Sequence, residues 1–178
     1  LEGLDVNPMM YEYVLDRAWE RRGNDKDWVY ALADRHFGGS DTDFRAAWQL
    51  LCEKVQKQKS GHEVSQIPAR PNLNGKAPWN NQPLAYDNRD LLSAWAKLLK
   101  SGGSDTPEFR FDCVNWARQC LDNYFTELYA SFRSDYKKGR IDALRAKGAR
   151  MLEILRDVDE LVGSEAYFLM GKWVEDAR

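Results

Sequence analysis

Cysteine is scarce in this chain: three in 178 residues, Cys52, Cys113 and Cys120, with no Cys-x-x-Cys pair. Cys113 and Cys120 fall two turns apart on one predicted helix, about 10 Å at the usual helical rise, beyond the reach of a disulfide. All three read as buried small apolar residues rather than redox groups. Only two histidines occur, His36 and His62, neither with a second ligand at metal spacing, so no zinc site and no other cofactor is expected. No apolar run approaches the roughly 18 residues of a membrane span, and no membrane partner is expected. Charge of one sign is lacking as well: Lys+Arg at 26 against Asp+Glu at 28 gives a net charge of -2, which excludes the basic footprint of a nucleic-acid binder. There is no Gly-rich phosphate loop, no Gly-x-Ser-x-Gly and no Walker pattern. Strand-like alternation and solenoid-period repeats are absent too.

What the chain has in quantity is aromatic side chains, with seven Trp, eight Tyr and seven Phe. Its length can bury a proper core as one domain. Apolar residues recur at helical spacing in seven segments. The first runs over 8–22 with Met10, Val14 and Ala18 on one face, flanked by Tyr11, Leu15 and Trp19. The second starts at Asp25 or Lys26, turns Val29, Leu32, Ala33 and Phe37 inward, and stops at Gly38-Gly39. The third is capped by Ser40, Asp41 or Thr42 and carries the stripe Phe44, Ala47, Trp48, Leu51, Cys52, Val55. Asp87 or Asn88 caps a fourth, with Leu91, Leu92, Trp95, Leu98 and Leu99 inward. Thr106-Pro107-Glu108 opens a long fifth helix, because Thr caps, Pro suits the first turn and an acid suits its positive end. Its stripe is Phe109, Cys113, Trp116, Cys120, Tyr124, Leu128 and Phe132, widened by Ala117, Leu121 and Phe125. A sixth helix over 140–162, with Ile141, Leu144, Met151, Leu152, Leu155, Val158 and Val162 inward, packs back on the fifth as an αα-hairpin. The seventh begins at Gly163-Ser164, uses Tyr167, Phe168, Met170, Trp173 and Val174, and is expected to run on to the last residue. The fold class is all-α: an irregular bundle of about seven helices with one long hairpin and a long Pro/Asn-rich loop.

That loop, 57–88, holds Pro68, Pro71, Pro78 and Pro83 with Gly61, Gly75 and several Asn. So long a structureless stretch in a compact domain is uncommon, and Trp79 and Tyr86 argue against simple disorder. It is either a tether pinned by its aromatics or a wall of a pocket completed by another domain. Trp48, Trp95, Trp116 and Trp173 fall at core spacing and are assigned to packing; Trp28 and Trp79 are less constrained.

The opening string Glu2-Gly3-Leu4-Asp5-Val6-Asn7, continued by Tyr11, Glu12 and Ala18-Trp19, resembles the late active-site segment of the α-N-acetylglucosaminidases of glycoside hydrolase family 89. The resemblance continues in order through Trp28-Val29 and through Arg35-His36-Phe37-Gly38, where the family has an Arg-Arg-Tyr-Gly-type run and His36 and Phe37 depart from it. Ala46-Ala47-Trp48-Gln49-Leu50-Leu51, Arg70-Pro71-Asn72-Leu73, Ala94-Trp95, Lys97-Leu98-Leu99, Phe109-Arg110-Phe111-Asp112 and Phe168 to Glu175 follow. On residues alone Glu2 is an ordinary carboxylate near a helix start. The resemblance makes it the catalytic nucleophile, with the partner acid in a barrel domain outside this chain. It further implies 1–7 as the end of a catalytic (β/α) barrel region and 8–178 as a C-terminal helical domain. The chain begins as if cut from a larger enzyme, a fragment expected to be inactive alone. Arg70 and Trp79 are the substrate-binding candidates. The implied partners are a glycan ending in α-linked N-acetylglucosamine and the upstream barrel; the implied location is secreted, periplasmic or lysosomal. The alternative is a non-catalytic helical interaction module.

Overall fold

The computed structural model describes residues 8–19, 24–56, 65–69, 71–73 and 84–178. Among them there is no strand, and seven α-helices carry the fold: α1 Pro8–Trp19, α2 Asp25–Phe37, α3 Thr42–Leu50, α4 Asn88–Leu98, α5 Pro107–Lys137, α6 Ile141–Gly163 and α7 Met170–Asp176.

The helix starts follow local chemistry. Asn24, Asp41, Asp87 and Thr106 cap α2, α3, α4 and α5, each side chain accepting a backbone N–H of the first turn. Gly38 ends α2 in the left-handed region at φ 74. A Cβ there would stand 2.9 Å from the Thr106 methyl, so any side chain would be both strained and obstructed. Close approach at Gly38 lets Thr106 Oγ1 donate to the His36 carbonyl and Ser104 Oγ donate to the Phe37 carbonyl at 2.6 Å. The end of α2 is thereby stapled to the start of α5.

α2, α3, α4 and the first half of α5 enclose the main core, in which Leu32, Phe44, Trp48, Leu91, Leu98, Phe109 and Trp116 are buried. α3 does not stay α-helical to Val55 as its spacing predicts. It widens into π winding over Leu51–Gln56, which leaves Leu51 and Cys52 buried. A second, smaller core joins α5 to α6 around Phe125, Tyr129 and Ile154. Gly139, at φ 66, turns the chain between those two helices. The three cysteines are free, and burial pushes the Cys113 thiol up to about 11 and Cys120 to about 12.

Several expected core positions face solvent. Leu92 and Leu99 are exposed because the stripe of α4 that meets its neighbours is the narrower Leu91, Ala94, Leu98 row. On α6, Ile141 and Leu152 are exposed and Ile154 is fully buried, since the packed row passes through Met151, Ile154, Leu155 and Val158. The last helix is broken. A 3-10 turn over Ala166–Phe168 and an extended Leu169 precede α7, which ends at Asp176. Phe168 stacks on Phe111, and Tyr167 meets Phe111 edge-on, so this aromatic pair takes the burial expected of Met170 and Trp173, which stay exposed.

The largest departure is α1. Met10, Val14 and Ala18, its expected inward face, point outward with Tyr11, Leu15 and Trp19; Val14 is 57% and Trp19 89% exposed. The helix instead lies on the body through Met9, Glu12, Tyr13, Asp16 and Arg17. The polar side chains of that face find fixed partners there.

Candidate functional site

Glu2, Arg70 and Trp79, to which the sequence points, lie outside the described residues, as does His62. What the structure defines is the framework on either side of them: the seat of α1, the helix into which the Glu2 segment leads, and the seat of the ends of the 57–88 loop.

The seat of α1 centres on His36, on the inward face of α2 beside Val29, Leu32 and Ala33. Its ring is 3% exposed. Nδ1–H donates to Asp112 Oδ2 on α5 at 2.7 Å, and Nε2–H donates to Glu12 Oε1 on α1 at 3.0 Å. Trp48 of α3 meets the imidazole edge-on, with centroids 5.1 Å apart. With a carboxylate at each ring nitrogen, the ring is held as imidazolium. Burial opposes that charge, but the hydrogen bonds and charges of Asp112 and Glu12 outweigh it and push His36 up to about 9. For Asp112, 1% exposed, burial dominates and pushes it up to about 6 despite His36. For Glu12 burial again opposes, but bonds from His36 and Arg35 hold its carboxyl below the usual range. At neutral pH all three groups are charged.

A second set of bonds flanks the first. Arg35 reaches Glu12 Oε2 at 3.1 Å and Asp16 Oδ2 at 3.0 Å. Trp28 Nε1–H donates to Asp16 Oδ2 at 2.8 Å, the main reason that carboxyl sits below its ordinary range, and Tyr13 packs edge-on against the Trp28 ring. Beyond them, Met9 touches Cys52 across a shallow apolar groove lined by Met10, Tyr13, Trp28, Val29 and Gln49. The arrangement aims bonds at α1 from several directions. Chemically it orients; His36 and Asp112 are sealed from any substrate.

The loop ends are seated on α5 by a polar row that an apolar reading of that helix passes over. Asn115, Asp122, Asn123 and Thr126 are buried among its apolar residues. Asn123 Nδ2 donates to Tyr86 Oη at 2.9 Å and to Asn88 Oδ1 at 3.0 Å. Ser65 Oγ donates to Asp122, and the Asn72 N–H donates to Tyr129 Oη at 2.7 Å. Tyr86 and the Asn72 backbone thus tie the loop to α5 at two points.

Sequence reasoning missed His36, Glu12 and Asp112 as a group. A signal was present: His36 and Asp112 both fall on inward stripes, beside Val29, Leu32, Ala33 and beside Phe109, Trp116. An ionisable side chain at a core position must find a partner. Among the described residues, no three or more His, Cys, Asp or Glu are grouped to hold a metal ion, and no helix is long and apolar enough to cross a membrane.

Comparison with known proteins agrees with the resemblance read from the sequence. The family model of the α-N-acetylglucosaminidase (NAGLU) C-terminal domain matches residues 28–178. The human α-N-acetylglucosaminidase is 33% identical over 187 aligned residues, covering 99% of this chain and 24% of that protein. CpGH89 of Clostridium perfringens, solved with two glutamates changed to glutamine and in complex with its substrate GlcNAc-α-1,4-galactose, superposes with a TM-score of 0.83 at 25% identity. That match covers 96% of this chain and 20% of the CpGH89 chain. This chain therefore spans about a quarter or less of the length of these relatives, and it belongs to the α-N-acetylglucosaminidase C-terminal domain family.

Proposed function

We propose that this chain is the C-terminal helical part of a retaining exo-α-N-acetylglucosaminidase that releases terminal α-linked N-acetylglucosamine from glycans. The observation that carries the reading is the extent of the likeness to the human α-N-acetylglucosaminidase, 99% of this chain. The substrate held by the Clostridium perfringens relative, GlcNAc-α-1,4-galactose, supports the choice of sugar. Residues 1–7 then close a catalytic (β/α) barrel region and 8–178 form the helical domain. Glu2 attacks the anomeric carbon while a carboxylic acid of the barrel, outside this chain, protonates the departing glycosidic oxygen. That second group, now a carboxylate, deprotonates the water that cleaves the glycosyl-enzyme. Retention requires the two carboxyl groups about 5–5.5 Å apart. Arg70 offers the sugar hydroxyls a donor, and Trp79 offers the sugar ring a flat apolar face. The outward apolar face of α1 supports a barrel domain as neighbour, since a helix that turns Met10, Val14, Leu15 and Trp19 to solvent lacks the partner its sequence is made for.

The test is Glu2→Gln in the full-length protein, assayed on an aryl α-N-acetylglucosaminide. Turnover should fall at least about a thousandfold, as for loss of a covalent nucleophile, with thermal unfolding unchanged. The 178-residue chain alone should release no sugar. Activity in either case would overturn the division of roles.

A further inference from the structure

α1 has little close backbone packing against α2, α3, α4 or α5, and side chains carry most of its attachment to them. We infer that the buried His36 ring, bridging Glu12 of α1 and Asp112 of α5, is a positioning residue that fixes the angle of α1 and, through it, the Glu2 segment that leads into α1. The inference rests on the proposed role of Glu2 but adds a residue that touches neither substrate nor nucleophile.

Three observations support it. His36 is clamped at its own backbone, because Thr106 Oγ1 donates to its carbonyl and Gly38 lets α2 close on α5. On the ring, the 2.7 Å bond to Asp112 fixes its plane from α5, and Trp48 packs against it at a steep angle from α3. The remaining nitrogen is left to aim at Glu12, in the first half of α1 and so near the end that the Glu2 segment joins. Hydrogen bonds are directional where apolar contacts are not, so this bond, with Arg35 and Trp28 on the next turn, sets the orientation of α1 as well as its distance. A misplacement of about 1 Å at a reacting group costs on the order of a hundredfold in rate, so a support this far from the chemistry can matter.

The charged groups that bear on the ring are Glu12 from α1, Arg35 from α2 through Glu12, and Asp112 from α5 with Glu108 one turn earlier; α3 presents only Trp48.

The experiment uses full-length protein with Glu12→Ala, His36→Gln and His36→Arg, the last restoring a cation between the two carboxylates. Glu12→Ala removes the acceptor that His36 and Arg35 reach on α1 and spares the buried pair, so it reports even if His36→Gln fails to fold. The expected result is a kcat lowered about 10- to 100-fold with KM within about twofold in Glu12→Ala and His36→Gln. Hydrogen exchange should quicken at 8–19 while α3 to α6 stay protected. His36→Arg should recover most of the kcat. Unchanged kcat and unchanged exchange at 8–19 in a folded Glu12→Ala protein would overturn the inference. A loss of kcat that merely tracks melting temperature, with exchange raised everywhere, would overturn it too. Glu2→Gln run in parallel separates the two readings. If Glu2→Gln retains activity, the nucleophile assignment falls while the exchange data still judge His36. If Glu2→Gln is dead and Glu12→Ala is normal, only the inference about His36 falls.

Discussion

α1 and α6 are both held against the rest of the bundle, and by opposite means. α6 meets α5 through a small apolar core in which Ile154 is fully buried among Phe125, Tyr129, Leu121, Leu128 and Leu155. A charged knot, Asp135 with Lys147 and Arg140, secures the hairpin at its turn end. α1 meets the body chiefly through Glu12, Asp16, His36, Arg35 and Trp28, and keeps its apolar side for solvent. Apolar contact is indifferent to pH and tolerant of small slips. Charged hydrogen bonds are strict about angle and answer to protonation. The hairpin is therefore built to stay folded, and the α1 seat is built to hold one helix in one attitude.

The comparison breaks most sharply at Asp112. Asp112→Ala leaves His36 in the core without its inner carboxylate, and removing one partner of a buried pair costs about 3–5 kcal/mol; urea unfolding measures it. Ile154→Ala in the hairpin core should cost about 2–5 kcal/mol. That loss should be the same at pH 6 and pH 9, since no titrating group is involved. The pH dependence itself is next. His36 has a folded value near 9 against 6.5, so its contribution is whole below 6.5 and is lost as the pH rises toward 9. Asp112, near 6 against 3.8, acts in the same direction at lower pH. Glu12, held below 4.5, opposes both, its contribution being lost only as the pH falls through its depressed value. Melting temperature should therefore decline from pH 6.5 to 9 in the parent chain and decline less in His36→Gln. An equal slope in the two would remove the imidazolium from the account.

Much of the fold could be read in advance because its signals are local. Asp41, Asp87 and Thr106-Pro107 announce helix starts and Gly38 a helix end within a few residues of chain, and the structure has all four. The inverted face of α1 could not be read that way. Met10, Val14 and Ala18 make a normal apolar stripe, and only partners far along the chain, such as Asp112 for the ring that holds Glu12, decide that the other face turns inward. The buried polar pair Asp122 and Asn123 was equally hidden, since its partners Ser65 and Tyr86 lie on a loop remote in sequence. The candidate functional residues could be named by resemblance alone. Glu2-Gly3 has no local pattern that separates a nucleophile from an ordinary carboxylate, and Glu2, Arg70 and Trp79 lie outside the described residues.

The smallest expected effect is the most telling about α1. Val14 and Leu15 sit on its outward face, 57% and 47% exposed. Substituting both with Ser removes apolar surface that the 178-residue chain does not bury, so its stability should move by no more than about 0.5 kcal/mol per site. In the full-length protein the same two side chains are proposed to lie against the barrel domain. There the double substitution should lower the melting temperature and weaken turnover together, because burial lost at that contact also loosens the helix behind the proposed nucleophile segment. Equal, near-zero effects in the short chain and the full-length protein would mean that the outward face of α1 has no neighbour. The polar clasp on its other side would then be the whole of its attachment.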